Sequence, residues 1–294
     1  MLGQVAALGT AACWAAGSYL FTIAARRLGS LTLNQARITL ALVFLSAFTF
    51  ALRGTAWAPE AAPRQILFLV VSGLVGLTLG DWAYFRALVA IGPRLGTLLM
   101  TLAPPLTAIL AVPVLHERLS WVGIAGMAVT IAGVGWVVLE RSAVPIPRGH
   151  RVLGVAMGAL GSLGQAVGLI LSKIGMGNEI DPLPATAIRM AAATAGIWLV
   201  AGLSRRARNV RRLRTDRTAR LAVLGACLLG PVTGVWLSLV AVRLTEAGIA
   251  ATLMSTTPVL VLPLVMFVGR ERVSPRAAFG ALVAVAGVGM LFLR

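Results

Sequence analysis

HERLSWVGIAGMAVTIAGVGWVVL at residues 116–139 and RERVSPRAAFGALVAVAGVGMLFL at residues 270–293 are two copies of one sequence, 154 positions apart. Ten of the 24 aligned positions are identical, and the longer matches are structural punctuation. Glu117-Arg118 meets Glu271-Arg272, Ser120 meets Ser274, Gly126 meets Gly280, and Ala132-Gly133-Val134-Gly135 meets Ala286-Gly287-Val288-Gly289. Outward from these copies the same offset aligns Pro104 in TLAPPL with Pro258 in STTPVL, then Met100 with Met254, Ala87 with Ala241 and Trp82 with Trp236. Offsets of 151 and 152 align Leu2-Gly3 with Leu153-Gly154, Gly17 with Gly168 and Arg37 with Arg189. Such drift is what loop-length differences leave in a diverged duplication.

The composition says where the duplicated unit lives. Hydrophobic residues make up 59% of the 294 positions and charged residues 12%, about half the charge of a soluble domain. Apolar runs of about 20 residues are long enough to cross the hydrocarbon core as helices. The first run has no basic leader and no small-residue cleavage signature, so it reads as a retained helix. The net charge of +17 would suggest nucleic acid on a soluble protein. Here the arginines lie almost entirely between apolar runs, so the expected contacts are lipid headgroups, and nucleic acid is not an expected partner. Cys13 and Cys227 fall inside apolar runs with no metal or redox spacing. They read as core thiols, and no metal or cofactor is expected.

Ten apolar runs are predicted as spans: 2–25, 34–52, 65–88, 93–114, 119–140, 152–172, 184–203, 220–243, 247–268 and 275–293. The Pro-containing stretch 141–151 separates a first unit at 1–140 from a second at 152–294, five spans each. Five is odd, so the second unit enters the membrane from the opposite side. The fold class expected is an all-α integral membrane protein with ten transmembrane helices in two inverted repeats. In that architecture a substrate site lies near the midplane between the halves, and alternating access follows from exchanging their conformations.

Each unit has a Pro-centred fourth helix, an [HR]-E-R-x-S turn and a Gly-rich fifth helix ending A-G-V-G. This pattern resembles the EamA family of the drug/metabolite transporter superfamily, across nearly the whole chain. Trp14-Ala15-Ala16-Gly17-Ser18 is similar to that family's Trp-Gly/Ala-x-x pattern in the first helix, although the second unit carries Gln165 where Trp14 stands. The resemblance implies a polar-lined central cavity bounded by spans 1, 3, 4, 6, 8 and 9, with spans 5 and 10 at the periphery. It implies export of amino acids, other metabolites or cationic drugs.

The repeated stretch itself reads as scaffold. Ser120 and Ser274 are predicted N-caps, with Pro275 at the first helical position, where it forfeits no hydrogen bond. Glu117 and Glu271 precede helix N-termini, where a carboxylate suits the dipole; direct substrate contact is the competing reading. Gly126 and Gly133, and their counterparts Gly280 and Gly287, are predicted to let a neighbouring helix approach closely. Pro104 and Pro258 sit within spans and free the carbonyls of Met100 and Met254. Thr97, Thr101, Ser255 and Thr256 lie nearby, so the expectation is a cavity lining; the alternative is a packing kink whose hydroxyls bond back to their own helices.

Asp81 is the one acid well inside a run, beside Trp82 and Tyr84. An intramembrane carboxylate is costly and by default functional. It reads as a proton site, a partner for a substrate ammonium, or a counter-ion to Arg37, against the plain alternative of an acid snorkelling near a span end. Arg37 and Arg189, being in both halves, read as architectural rather than anion-binding. Lys173 is read as snorkelling. The candidate cavity comprises Trp14, Ser18, Tyr19, Asp81, Trp82, Tyr84, Thr97, Thr101, Pro104, Gln165, Trp236, Ser238, Ser255, Thr256 and Pro258, with Asp81 as the candidate coupling residue.

Eighteen basic residues fall in odd-numbered connectors and adjoining helix ends, eight of them in 204–220, and five in even connectors and termini. The positive-inside rule then places the odd connectors in the cytoplasm and both termini outside. The family resemblance implies both termini inside; the charge count is preferred here. No G-x-x-x-x-G-K-[ST] run is present, so a gradient rather than ATP is expected to drive any coupling. The sequence therefore points to a secondary transporter that exports small metabolites, such as amino acids or organic cations, across the cytoplasmic membrane of a bacterium. A lipid or polyprenyl-carrier flippase on the same fold is the near alternative. An intramembrane lipid-modifying enzyme is a distant one, because no span holds paired acids or a His cluster. Expected partners are a small-molecule substrate and membrane lipids, with the chain acting as a monomer or homodimer.

Overall fold

The computed structural model describes residues 1–54, 61–115, 120–139, 147–177, 179–244, 250, 253–268 and 273–290. Glu117 and Glu271 lie outside these residues. Every regular element among them is helical. They are α1 (Leu2–Leu28), α2 (Ser30–Arg53), α3 (Pro63–Ser72), α4 (Asp81–Leu99), α5 (Ala103–Leu115), α6 (Trp121–Leu139), α7 (Arg148–Met176), α8 (Pro182–Leu203), α9 (Arg217–Cys227), α10 (Trp236–Leu244), α11 (Thr257–Phe267) and α12 (Pro275–Met290). Six helical runs are long and apolar enough to cross a bilayer, and three shorter apolar helices accompany them. One of the six, Pro63–Val114, divides at Gly92, so the described residues hold ten apolar helices in the order of the predicted spans.

Several connectors are shorter than predicted. The turn from α1 to α2 is the single residue Gly29, at φ 86°. Gly92 adopts φ 79° within α4, followed by Pro93. Only a residue without Cβ enters this region cheaply, and a following Pro restarts a helix at no loss of hydrogen bonding. Similarly, α7 begins at Arg148, inside the stretch predicted to be linker. Two ion pairs tie connectors that an alternating topology puts on one side: Arg27 with Asp216 at 3.0 Å, and Arg243 with Asp181.

The Gly-rich helices α6 and α12 pack directly on each other, each the fifth span of its unit. A Cβ on Gly133 would fall 2.6 Å from the Ala284 amide nitrogen, and one on Gly287 would fall 2.5 Å from that of Thr130. A Cβ on Gly280 would meet the Val137 side chain at 2.4 Å. Backbones approach this closely only where side chains are absent, the usual device where lipid gives helices no hydrophobic reason to associate. Ser120 accepts from the Gly123 amide and Ser274 from the Ala277 amide, each at 3.0 Å, so both serines cap their helices.

Candidate functional site

The third span of each unit is not a regular α-helix. Gly73–Gly80 joins α3 to α4 as a π-helical segment, and Leu228–Val235 joins α9 to α10 in the same way. The two ranges are related by an offset of 155, so the irregularity belongs to the duplicated unit. π-segments widen a helix and disturb its carbonyl ladder, and they occur often at functional sites.

The first segment and the residue before it are hydrogen-bonded to three neighbouring helices. Asn34 on α2 donates to the Leu77 and Thr78 carbonyls at 2.9 and 3.3 Å. Thr78 donates its hydroxyl to the Ala193 carbonyl on α8, and Ser72 donates to Gly168 on α7. Gly76 and Gly80 face Gly168 and Gly164 of α7. A Cβ on Gly164 would lie 2.7 Å from the Gly80 Cα, and one on Gly168 would lie 3.0 Å from the Gly76 Cα. Two small-xxx-small pairs, one from each half, thus bring the halves into backbone contact.

This contact delivers Asp81, the first residue of α4, into the interior at 5% exposure. Arg37 Nη2 pairs with one carboxylate oxygen, and Gln165 Nε2 donates to the other at 2.8 Å. Arg37 also donates to Asn34 Oδ1 from Nε and Nη2, at 3.2 and 3.0 Å. The rings of Phe21 and Phe85 stack against its guanidinium, 5.4 and 4.7 Å from ring centroid to Cζ. Arg189 of α8, also buried, interacts electrostatically with Asp81. Helices of both halves therefore meet at one carboxylate and two guanidinium groups. A charged group at such depth is retained only when paired or put to use.

Of the fifteen cavity candidates, Asp81 and Gln165 are bonded to each other, and Tyr84 lies within electrostatic reach of Asp81. The others have partners outside this cluster or are buried away from its hydrogen bonds. Trp82 carries Arg86 over its ring and packs near Leu31 and Ile197. Trp236 meets Phe48 edge-on, Trp14 lies against Gly234, and Tyr19 donates to the Val268 carbonyl. Ser18 and Ser238 donate to Ala15 and Val235 in their own helices. Ser255 is buried in the turn before α11.

At the proline kinks the hydroxyls bond back to their own helices, the alternative weighed above. Thr97 donates to Pro93, Thr101 to Leu98 and Thr256 to Leu253. The carbonyls that Pro104 and Pro258 free are satisfied locally, Met100 by the Ala103 amide and Met254 by the Thr257 hydroxyl. Arg37 and Arg189, read from sequence as architectural, are both charges of the buried cluster. Asn34 was passed over; its position three residues before Arg37 puts both on one helical face.

An all-helical, multi-span, two-unit architecture with a polar knot between units defines an integral membrane protein of duplicated type. The model of the EamA-like transporter family matches residues 1–139 and again 152–293, and the chain belongs to that family. A solved crystal structure of a protein superposes with a TM-score of 0.69 at 18% identity, covering 99% of this chain and 96% of that one, a likeness of fold. No curated protein matches the sequence.

Proposed function

We propose that this protein is a secondary transporter that moves small metabolites outward across the cytoplasmic membrane of a bacterium by alternating access. The supporting observation is the buried Arg37–Asp81–Gln165 cluster, built from both halves where they touch at the glycine seam. A conformational exchange of the halves has to remake or carry this cluster, which gives the coupling residue a place to act. Asp81 is the proton-coupling group in this reading. With two arginines around one acid, the cluster weighs against a simple organic cation and leaves amino acids as the favoured class of those expected from sequence. The Arg-rich connector at 204–219 then faces the cytoplasm.

The test is flux in proteoliposomes across a panel of amino acids, organic cations and small organic acids, with and without an imposed pH gradient. Asp81→Asn is expected to abolish the pH dependence of flux while the protein still folds. Unchanged coupling removes Asp81 from that role, and no movement of any solute in the panel removes the transport reading.

A further inference from the structure

Arg37 and Arg189 occupy equivalent positions in the two units, yet their surroundings differ. Arg37 has Asp81, Asn34 and two aromatic faces. Arg189 is 4% exposed, and its Nε donates to no acceptor among the described residues. Its Nη2 lies against Gly76, where even a Cβ would stand only 3.6 Å away. Among the described residues, two buried guanidinium groups share one carboxylate, which leaves a positive charge unneutralised. A buried guanidinium lacking an anion is a costly group, and its planar fork matches the two oxygens of a carboxylate.

We propose that Arg189 is the anion subsite of the substrate pathway, and that its ligand is a small carboxylate-bearing solute held there while Asp81 remains on Arg37. This rests on the transport reading above and names its substrate class. Access requires conformations that part the seam between Gly76–Gly80 and Gly164–Gly168. The groups facing Asp81 are Arg37 from α2, Arg189 from α8, Tyr84 from its own helix and the uncharged Gln165 from α7. A proton on Asp81 raises the positive charge beside Arg189, so proton and carboxylate favour each other's binding.

The probes are butyrate, leucine and phenylalanine, each beside its primary amide, titrated into the purified full chain in detergent. At least one acid is expected to bind about 10-fold more tightly than its amide, the order of a charge-assisted hydrogen bond. Arg189→Gln erases that ratio, and Arg189→Lys keeps part of it. Asp81→Asn unmasks the charge of Arg37, tightens acid binding several-fold and removes its pH dependence. Failure of all three acids to bind, equal binding of acid and amide, or weaker acid binding in Asp81→Asn overturns the proposal. So does an intact ratio in a folded Arg189→Gln protein; where that variant does not fold, the wild-type ratio and Asp81→Asn decide. Proteoliposome flux separates the two readings. Acid binding without movement of any solute removes transport and leaves the subsite, whereas amides moving as fast as acids leave transport and remove the subsite.

Discussion

Gly73–Gly80 and Leu228–Val235 are the same device in two halves, a π-helical break in the third span, and they end differently. The first runs into Asp81 and the second into Trp236, with Val235 at the position that an offset of 154 pairs with Asp81. Around the first, α2, α7 and α8 supply Asn34, Ser172, Gln165 and Arg189. Around the second lie Pro231, the Trp14 ring against Gly234, and the Phe21 ring against Gly230. The backbone irregularity is common to both copies, while the carboxylate belongs to one. A symmetric frame can exchange its halves; a single acid in it makes the exchange sensitive to one charge.

The largest effect should come from forcing the glycine seam apart. Gly164→Val puts a branched side chain where a single Cβ already lies 2.7 Å from the Gly80 backbone, with backbone on both sides and no room to shift. Overpacking usually costs about 1–3 kcal/mol and more where backbone must move. Loss of monodisperse folded protein in detergent is expected. The control is Gly135→Ala, whose new methyl meets nothing within 4 Å and should leave the melting temperature unchanged. A Gly164→Val protein as stable as wild type would mean that the halves do not pack through this seam.

Next comes the charge that distinguishes the two copies. Asp81→Val makes the first π-segment end as the second does, and strands Arg37 without its counter-ion. Removing one partner of a buried pair costs about 3–5 kcal/mol, whereas replacing both with apolar groups is often neutral. The single variant should therefore melt far below wild type, and Arg37→Met with Asp81→Val should recover most of the loss. Val235→Ala, in the other copy, should cost about 1 kcal/mol, an ordinary trimming. Equal losses from Asp81→Val and Val235→Ala would erase the distinction between the segments.

The frame was legible in the sequence because it is periodic. Apolar runs, the 154-residue offset, the capping serines and the glycines of α6 and α12 all act through spacing along one helix or through the repeat. The site was half legible. Asp81 declares itself as a lone acid in an apolar run, and its partnership with Arg37 was among the readings open to it. Gln165 as the donor to Asp81, and an Arg189 Nε with no acceptor among the described residues, depend on how α7 and α8 lie against the π-segment, which no spacing within one helix encodes. The prolines left two readings open for a physical reason. A freed carbonyl in a membrane needs a donor, and at Met100 and Met254 the donor is one helical turn away rather than in a cavity. The signal that could have found the seam is the matched pair of G-x-x-x-G spacings at Gly76–Gly80 and Gly164–Gly168.

The smallest effect concerns how the chain leads into each π-segment. α3 starts with Pro63 and a Gln65 side chain accepting from the Ala62 amide, an uncharged cap. α9 starts at Asp216, whose carboxylate accepts from the Ala219 amide at 2.9 Å and pairs with Arg27 of α1. The Ala219 hydrogen bond first, and Arg27 second, hold the Asp216 carboxyl below its ordinary range. A carboxyl whose folded value is depressed adds stability above its unfolded value of about 3.9, and that stability is lost as pH falls through the lower folded value. Asp216→Asn keeps a capping oxygen and removes only the ionisable part. At pH 7 the variant should melt slightly below wild type. The gap should narrow below about pH 4 and close in stronger acid, where Asp216 is itself neutral. A gap for Asp216→Asn that stays constant into acid would mean that the two helices start on equivalent, uncharged terms.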